Sequence, residues 1–226
     1  MKIATLILFL IFTASLNIYS QKPTAVVHDP PIPYVGNLGD WGTDLIVSNS
    51  EPLGRPSGVV RPTDTLYVAI PDTLIVTGAC LAILRSTNNG TNWSVIITVT
   101  PAAVIAKTRM VRSGLDSIYC TMLFGPPFES QIYILKVNLP LNASSLRPLL
   151  NGGYRDFDCW ASSTGGYYLF VDSLYSGYIP RYASSTGGVT WSQRGLVTST
   201  AANPFIYKSG SGDTVILAYY QLTAVS

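Results

Sequence analysis

Apolar positions along this chain come in short runs, each broken off by a turn signal, and not in long helical stripes. No long window keeps a 3.6-residue apolar rhythm, and 19 Gly and 15 Pro interrupt the chain too often for long helices. β-branched and aromatic residues fill the runs, as they do in strands. The runs also repeat. Gly58-Val59-Val60, Thr108-Arg109-Met110-Val111, Phe157-Asp158-Cys159-Trp160 and Phe205-Ile206-Tyr207 each open a unit. A turn follows, then a second run led by Asp or Gly: Asp64-Thr65-Leu66-Tyr67, Asp116-Ser117-Ile118-Tyr119, Gly165-Gly166-Tyr167-Tyr168 and Asp213-Thr214-Val215-Ile216. Third runs span Cys80 to Leu84, Gln131 to Leu135 and Tyr178 to Tyr182, and a fourth closes each complete unit. The units recur about every 50 residues, and four short strands at that period predict an all-β, β-propeller-like fold. The predicted blades are 56–105, 106–153 and 154–201, with an incomplete one at 202–226. A β-sandwich is the alternative, since its strands recur at similar short spacing.

One phrase occurs twice between the third and fourth runs. The copies are Ser86-Thr87-Asn88-Asn89-Gly90-Thr91-Asn92-Trp93 and Ser184-Ser185-Thr186-Gly187-Gly188-Val189-Thr190-Trp191. They lie about 100 residues apart, two periods of the repeat, which a sandwich does not explain. Gly90 and Gly188 suit the positive φ of a tight turn. Ser86 and Ser184 can accept hydrogen bonds from turn amides, while Trp93 and Trp191 can cover apolar surface beneath. The phrase resembles the Asp-box of sialidase-like (BNR-repeat) β-propellers. In that family the third position is usually Asp; here it is Asn88 and Thr186, so both boxes are uncharged. In the second unit Lys136-Val137-Asn138-Leu139-Pro140 stands where a box would be.

Residues 1–20 read as a secretory signal. Lys2 supplies a positive start, Ile3 to Leu16 an apolar stretch, and Ser20 a small residue before the cut at Gln21. The stretch is short for a membrane span, so no span is expected after cleavage. The cleavage position carries no Cys for a lipid anchor, and a cut between Ser and Gln resembles those of secreted Bacteroidetes-type proteins. Residues 21–55 form an N-terminal segment in which Trp41 to Ser48 is a candidate closing strand. Three and a half blades are few for a propeller, so the chain is expected to be a fragment whose partners include the missing blades of its parent.

Composition narrows the function classes. Only 12% of residues are charged, 47% are hydrophobic and the formal net charge is +2, without any Lys/Arg run. Nucleic-acid binding through phosphates is therefore not expected. Cys80, Cys120 and Cys159 sit in strand-like runs of different units, as small buried fillers. The single His28 lacks ligand partners, and His28 and Asp29 fall in a Pro-rich stretch expected to be a solvated loop. Neither metal nor cofactor is implied.

The sialidase resemblance implies a Tyr nucleophile assisted by a Glu, an Asp acid/base and three Arg that clamp a substrate carboxylate. Gly54-Arg55-Pro56-Ser57 stands where the family has an Arg-Ile-Pro signature, but lacks the Ile. The only glutamates are Glu51, before the units, and Glu129, in a loop after Gly125-Pro126-Pro127-Phe128. Arg109, Arg155 and Arg181 are candidates for a propeller face. Asp156 and Asp158 flank Phe157 and share a strand face, as a paired acid site or, the preferred reading, a solvated or turn-capping pair. No catalytic residue is assigned. The expectation is a secreted sialidase-like module without a catalytic set, binding a glycan or a cell-surface protein or serving as architecture. Its 14 Tyr suit a contact surface. The alternative is an exo-sialidase or related glycoside hydrolase whose missing residues lie downstream.

Overall fold

The computed structural model describes residues 24–33, 54–61, 65–71, 81–100, 104–113, 116–125, 130–139, 143–162, 164–174, 178–199, 201–208 and 215–221. All regular structure among them is β, in four successive antiparallel sheets. The first sheet contains β1 (Thr24–Pro33), β2 (Ser57–Val60), β3 (Leu66–Ile70), β4 (Leu81–Ser86) and β5 (Ser94–Thr100), in the order β1-β5-β4-β3-β2. The second runs β6 (Ile105–Ser113), β7 (Ser117–Phe124), β8 (Gln131–Asn138), β9 (Ala143–Asn151). The third runs β10 (Tyr154–Ala161), β11 (Tyr167–Ser173), β12 (Tyr178–Ser184), β13 (Ser192–Ser199). The fourth pairs β14 (Ala201–Lys208) with β15 (Val215–Gln221).

Within each unit the strands follow one another as a meander, and the first strands of successive units adjoin: β2 meets β6, β6 meets β10, and β10 meets β14. Sheets arranged side by side around their first strands are blades, not the two faced layers of a sandwich. The fold is all-β and β-propeller-like.

Period-two alternation explains why the runs are apolar almost throughout. On β7, Ile118, Cys120, Met122 and Phe124 face the first sheet, while Tyr119 and Leu123 face the third. On β8, Tyr133, Leu135 and Val137 face one way, and Ile132 and Ile134 the other. A strand covered on both faces has no polar side to show, so it reads as a continuous apolar run. Each such side chain contributes about 1.5–3 kcal/mol by burial.

Two expectations change at the N-terminal side. His28 and Asp29 lie in a strand and not in a loop: β1 pairs antiparallel with β5, with a register irregularity between Val27 and Ile32. Backbone pairing to the outer edge of the first sheet draws this Pro-containing stretch into extended structure, and Pro is tolerated at such an edge. The expected closing strand at Trp41 to Ser48, and Cys80, lie outside the described residues.

Among the described residues, the fourth sheet is covered on one face only. Ile206 is buried against the third sheet, whereas Phe205, Tyr207, Ile216 and Tyr220 on the other face are 54–69% exposed. In the second and third sheets the corresponding face is covered by the next sheet. An exposed aromatic and aliphatic sheet face drives association. The full chain is therefore expected to self-associate in light scattering, and the double variant Tyr207→Lys, Ile216→Lys to lower the scattered mass. A wild-type monomer that scatters identically to that variant would refute this.

Candidate functional site

The two box phrases form matching turns. Ser86 Oγ accepts the Gly90 amide at 2.8 Å, and Ser184 Oγ accepts that of Gly188 at 2.9 Å. Asn88 Oδ1 then accepts the Asn92 amide at 2.8 Å, and Thr186 Oγ1 accepts the Thr190 amide, also at 2.8 Å. Asn and Thr thus each supply the turn with a neutral acceptor. Two successive left-handed residues shape each turn: Asn89 (φ 54°) and Gly90 (φ 88°), then Gly187 (φ 61°) and Gly188 (φ 82°).

The Trp residues differ in cover. Trp93 is 5% exposed and packs with Ile70, Ala82, Leu84 and Val95. Trp191 is half-buried, sets its ring edge-on to Tyr167 at 5.3 Å, and donates from Nε1 to the Gly188 carbonyl at 3.1 Å. A third serine-held turn was missed in the sequence reading. Ser162 Oγ accepts the Gly166 amide at 2.8 Å between β10 and β11. Its signal was available: residues 162–166 and 184–188 are both Ser-Ser-Thr-Gly-Gly.

Charged side chains along the first strands stitch the sheets together. Lys107 on β6 donates to Asp156 Oδ1 and to the Phe157 carbonyl on β10, both at 2.6 Å. Arg109 Nε forms an ion pair with Asp158 Oδ1 at 2.9 Å. Asp158 Oδ2 in turn accepts the Ile206 amide of β14 at 2.7 Å, so one carboxylate spans three sheets. Asp172 on β11 accepts from Arg155 at 2.8 Å and from the Asn203 amide at 3.0 Å. Asn203 has a positive φ of 52° beside the register irregularity in β14.

The preferred reading of Asp156 and Asp158 as solvated is thereby corrected. Asp158 is only 2% exposed, held by two amides and a guanidinium. A buried carboxylate persists only with such partners. Sequence reading also missed Lys107 and Asp172. The clue to Asp172 was an acid ending the apolar run Leu169-Phe170-Val171.

The candidate arginines are not gathered into a clamp. Arg109 and Arg155 each pair with a carboxylate, and Arg181 donates to the Arg194 carbonyl on the outer strand β13 at 3.0 Å. Arg55 is exposed beside β6, its amide donating to the Ala106 carbonyl. Glu51 and Glu129 lie outside the described residues. Cys120 and Cys159 are buried free thiols; burial pushes both upward, Cys159 to about 12, which suits fillers and not nucleophiles. Tyr167, fully buried, shares a hydrogen bond with Thr121, and the Cys159 thiol donates to the same hydroxyl at 3.6 Å. Its phenol is raised well above the ordinary value by burial, the opposite of an activated nucleophile. Among the described residues no three His, Cys, Asp or Glu side chains cluster as metal ligands.

A cleft of about 190 Å³ lies where the second box turn meets the second sheet. Tyr119, Ile134, Lys136, Ser145 and Arg147 form its floor, and Gly187, Gly188 and Val189 its rim.

No protein-family model and no curated protein matches this chain. Among solved structures it is similar to a protein of unknown function from Dyadobacter fermentans DSM 18053, with TM-score 0.52 and 13% identity over 73% of this chain and 56% of that one. The chain thus spans little more than half the length of that protein. It also aligns with an endo-arabinase from Bacteroides thetaiotaomicron VPI-5482 at TM-score 0.30 and 10% identity, covering 77% of this chain and 96% of that one. The first likeness shows a shared fold; the second is too weak to carry an argument.

Two expectations follow. Trp93→Ala should cost about 3–5 kcal/mol in denaturant titration, with a smaller cost for Trp191→Ala, because the first ring is the better buried. Burial also raises the Asp158 carboxyl above the ordinary carboxylate range, against the pull of the Ile206 amide and of Arg109. A folded pKa above the unfolded one stabilises most below the unfolded value, and that contribution is lost as pH rises through the folded pKa. Chemical denaturation from about pH 3 to 8 should therefore show the stability balance moving toward Asp158→Asn as pH rises. A balance that moves toward wild type instead would place the folded pKa below the unfolded one.

Proposed function

We propose that this chain is a secreted, sialidase-like propeller module that binds a glycan without cleaving it. One observation carries the non-catalytic half of this reading: the acids on or beside the first strands are spent on holding sheets together. Asp156, Asp158 and Asp172 each pair with a cation and with at least one backbone amide. A hydrolase acid/base must reach substrate and exchange its proton, and a buried carboxylate tied to a cation and a backbone amide in blade contacts serves that poorly. Arg109 and Arg155, engaged with those acids, are likewise poorly placed to clamp a substrate carboxylate.

The binding half rests on the secretory leader and on a surface with polar and aromatic edges. Tyr219 is exposed outside the face assigned to association, and a phenol ring gives contact area with a polar tip.

A fluorogenic sialoside separates hydrolysis from binding. The full chain is expected to release no fluorophore above a heat-denatured control, yet to retain glycans on an array. Turnover abolished by Arg55→Ala or Glu129→Gln would restore the hydrolase reading.

A further inference from the structure

The cleft between the second and third sheets is built from two cross-strand rows. Tyr119, Lys136 and Ser145 lie directly opposite one another on β7, β8 and β9. One row along, Ile134 is paired with Arg147. Lys136 and Arg147 are therefore diagonal neighbours on one sheet face, within reach of a common group. Neither cation has a carboxylate partner among the described residues, and no acid lines the cleft. In this they differ from Lys107, Arg109 and Arg155, all of which are paired with acids. Lys136 is only half-exposed, its ammonium 5.7 Å from the centre of the Tyr119 ring.

The roof is equally specific. A Cβ on Gly187 would lie 2.8 Å from the Tyr119 hydroxyl, forcing it to shift, and 3.5 Å from Lys136 Nζ, in contact with the ammonium, so a side chain there would take up cleft space beside the cation. The first box has Asn at the corresponding left-handed position, Asn89, which shows that the turn itself tolerates a side chain. Gly187 thus leaves room as well as adopting the turn. Ile134 and Val189 add apolar walls, and the Ser145 hydroxyl a neutral polar contact.

Two unpaired cations, one hydroxyl and apolar walls in about 190 Å³ suit one sugar ring bearing an anionic group. We infer that this inter-sheet cleft, through Lys136, Arg147 and Ser145, binds the carboxylate or sulfate of a single residue in an acidic glycan. The inference rests on the glycan-binding reading above and deepens it.

Isothermal titration of the full chain with trigalacturonate, a sulfated galactan oligosaccharide, neutral galactotriose and sodium sulfate tests it. At least one acidic oligosaccharide is expected to bind, the neutral one not. Lys136→Gln and Arg147→Gln should each weaken binding by about tenfold. Ser145→Asp, which puts an anion into the cleft while keeping both cations, should abolish it. Arg112→Gln, an exposed cation on β6, should leave it unchanged, with a common thermal midpoint checking that all variants fold. Acidic binding that survives Ser145→Asp, or falls equally in Arg112→Gln, overturns the cleft while leaving a glycan-binding module intact. Sodium sulfate binding as tightly as the saccharides makes the site one for a free anion and overturns the glycan assignment. If neither acidic oligosaccharide binds, the inference fails; if no glycan on a broad array binds either, the proposed function fails with it.

Discussion

Burial of both faces of a sheet between its neighbours governs this molecule. A strand such as β7 has side chains pointing into two separate cores, one shared with the first sheet and one with the third. Every position on it is then a packing position, and a polar residue is admitted only with a partner. Thr121 meets that condition through Tyr167, and Cys159 through Thr121. The cysteines are consistent with the same pressure: small, apolar in effect, and pushed away from the thiolate by burial.

Charges enter this architecture where first strands adjoin. Apolar packing between sheets is non-directional and leaves their sliding weakly specified. Lys107 with Asp156, and Arg109 with Asp158, pin β6 to β10 at two successive same-face positions. The Asp158 contact to the Ile206 amide extends the pin to β14, and Asp172 repeats it at Asn203. Such pairs add little net stability over apolar substitutes, but removing one partner strands a buried charge. Their main effect here is on register. Arg109, Asp156 and Asp158, which the sequence offers as candidates for chemistry, hold neighbouring sheets in place, whereas Lys136 and Arg147, without a carboxylate partner among the described residues, lie at the outer cleft.

The box turns join these two themes. In each, a serine gathers turn amides and a Trp covers apolar surface below. In the third sheet the turn also projects against Tyr119 and Ile134 of the second, so a local hairpin device becomes an inter-sheet contact and the roof of a cleft. A position that is Asn in one copy and Gly in the other marks that added role.

Much of this was legible in the chain by itself. Apolar runs broken by Gly and Pro dictate short strands, and their recurrence about every 50 residues dictates repeated sheets, because these signals are local in sequence. The Ser and Gly of the box turns were legible for the same reason: donor, acceptor and left-handed residue lie within five positions. Pairing of β1 with β5 was not legible, since its strand partner lies some 70 residues away along the chain. Nor was the fate of Asp156 and Asp158, for which two carboxylates in a strand fit a solvated face as well as a buried one. Only the docking of β10 between β6 and β14 supplied the cations and amides that decided it. The meeting of Lys136 with Arg147 likewise depends on the register of β8 against β9, and its roof on a turn from the next sheet. Local chemistry determined the elements; which side chains share a space was decided by the stacking of sheets, because the contacts that fix it join residues from different repeats.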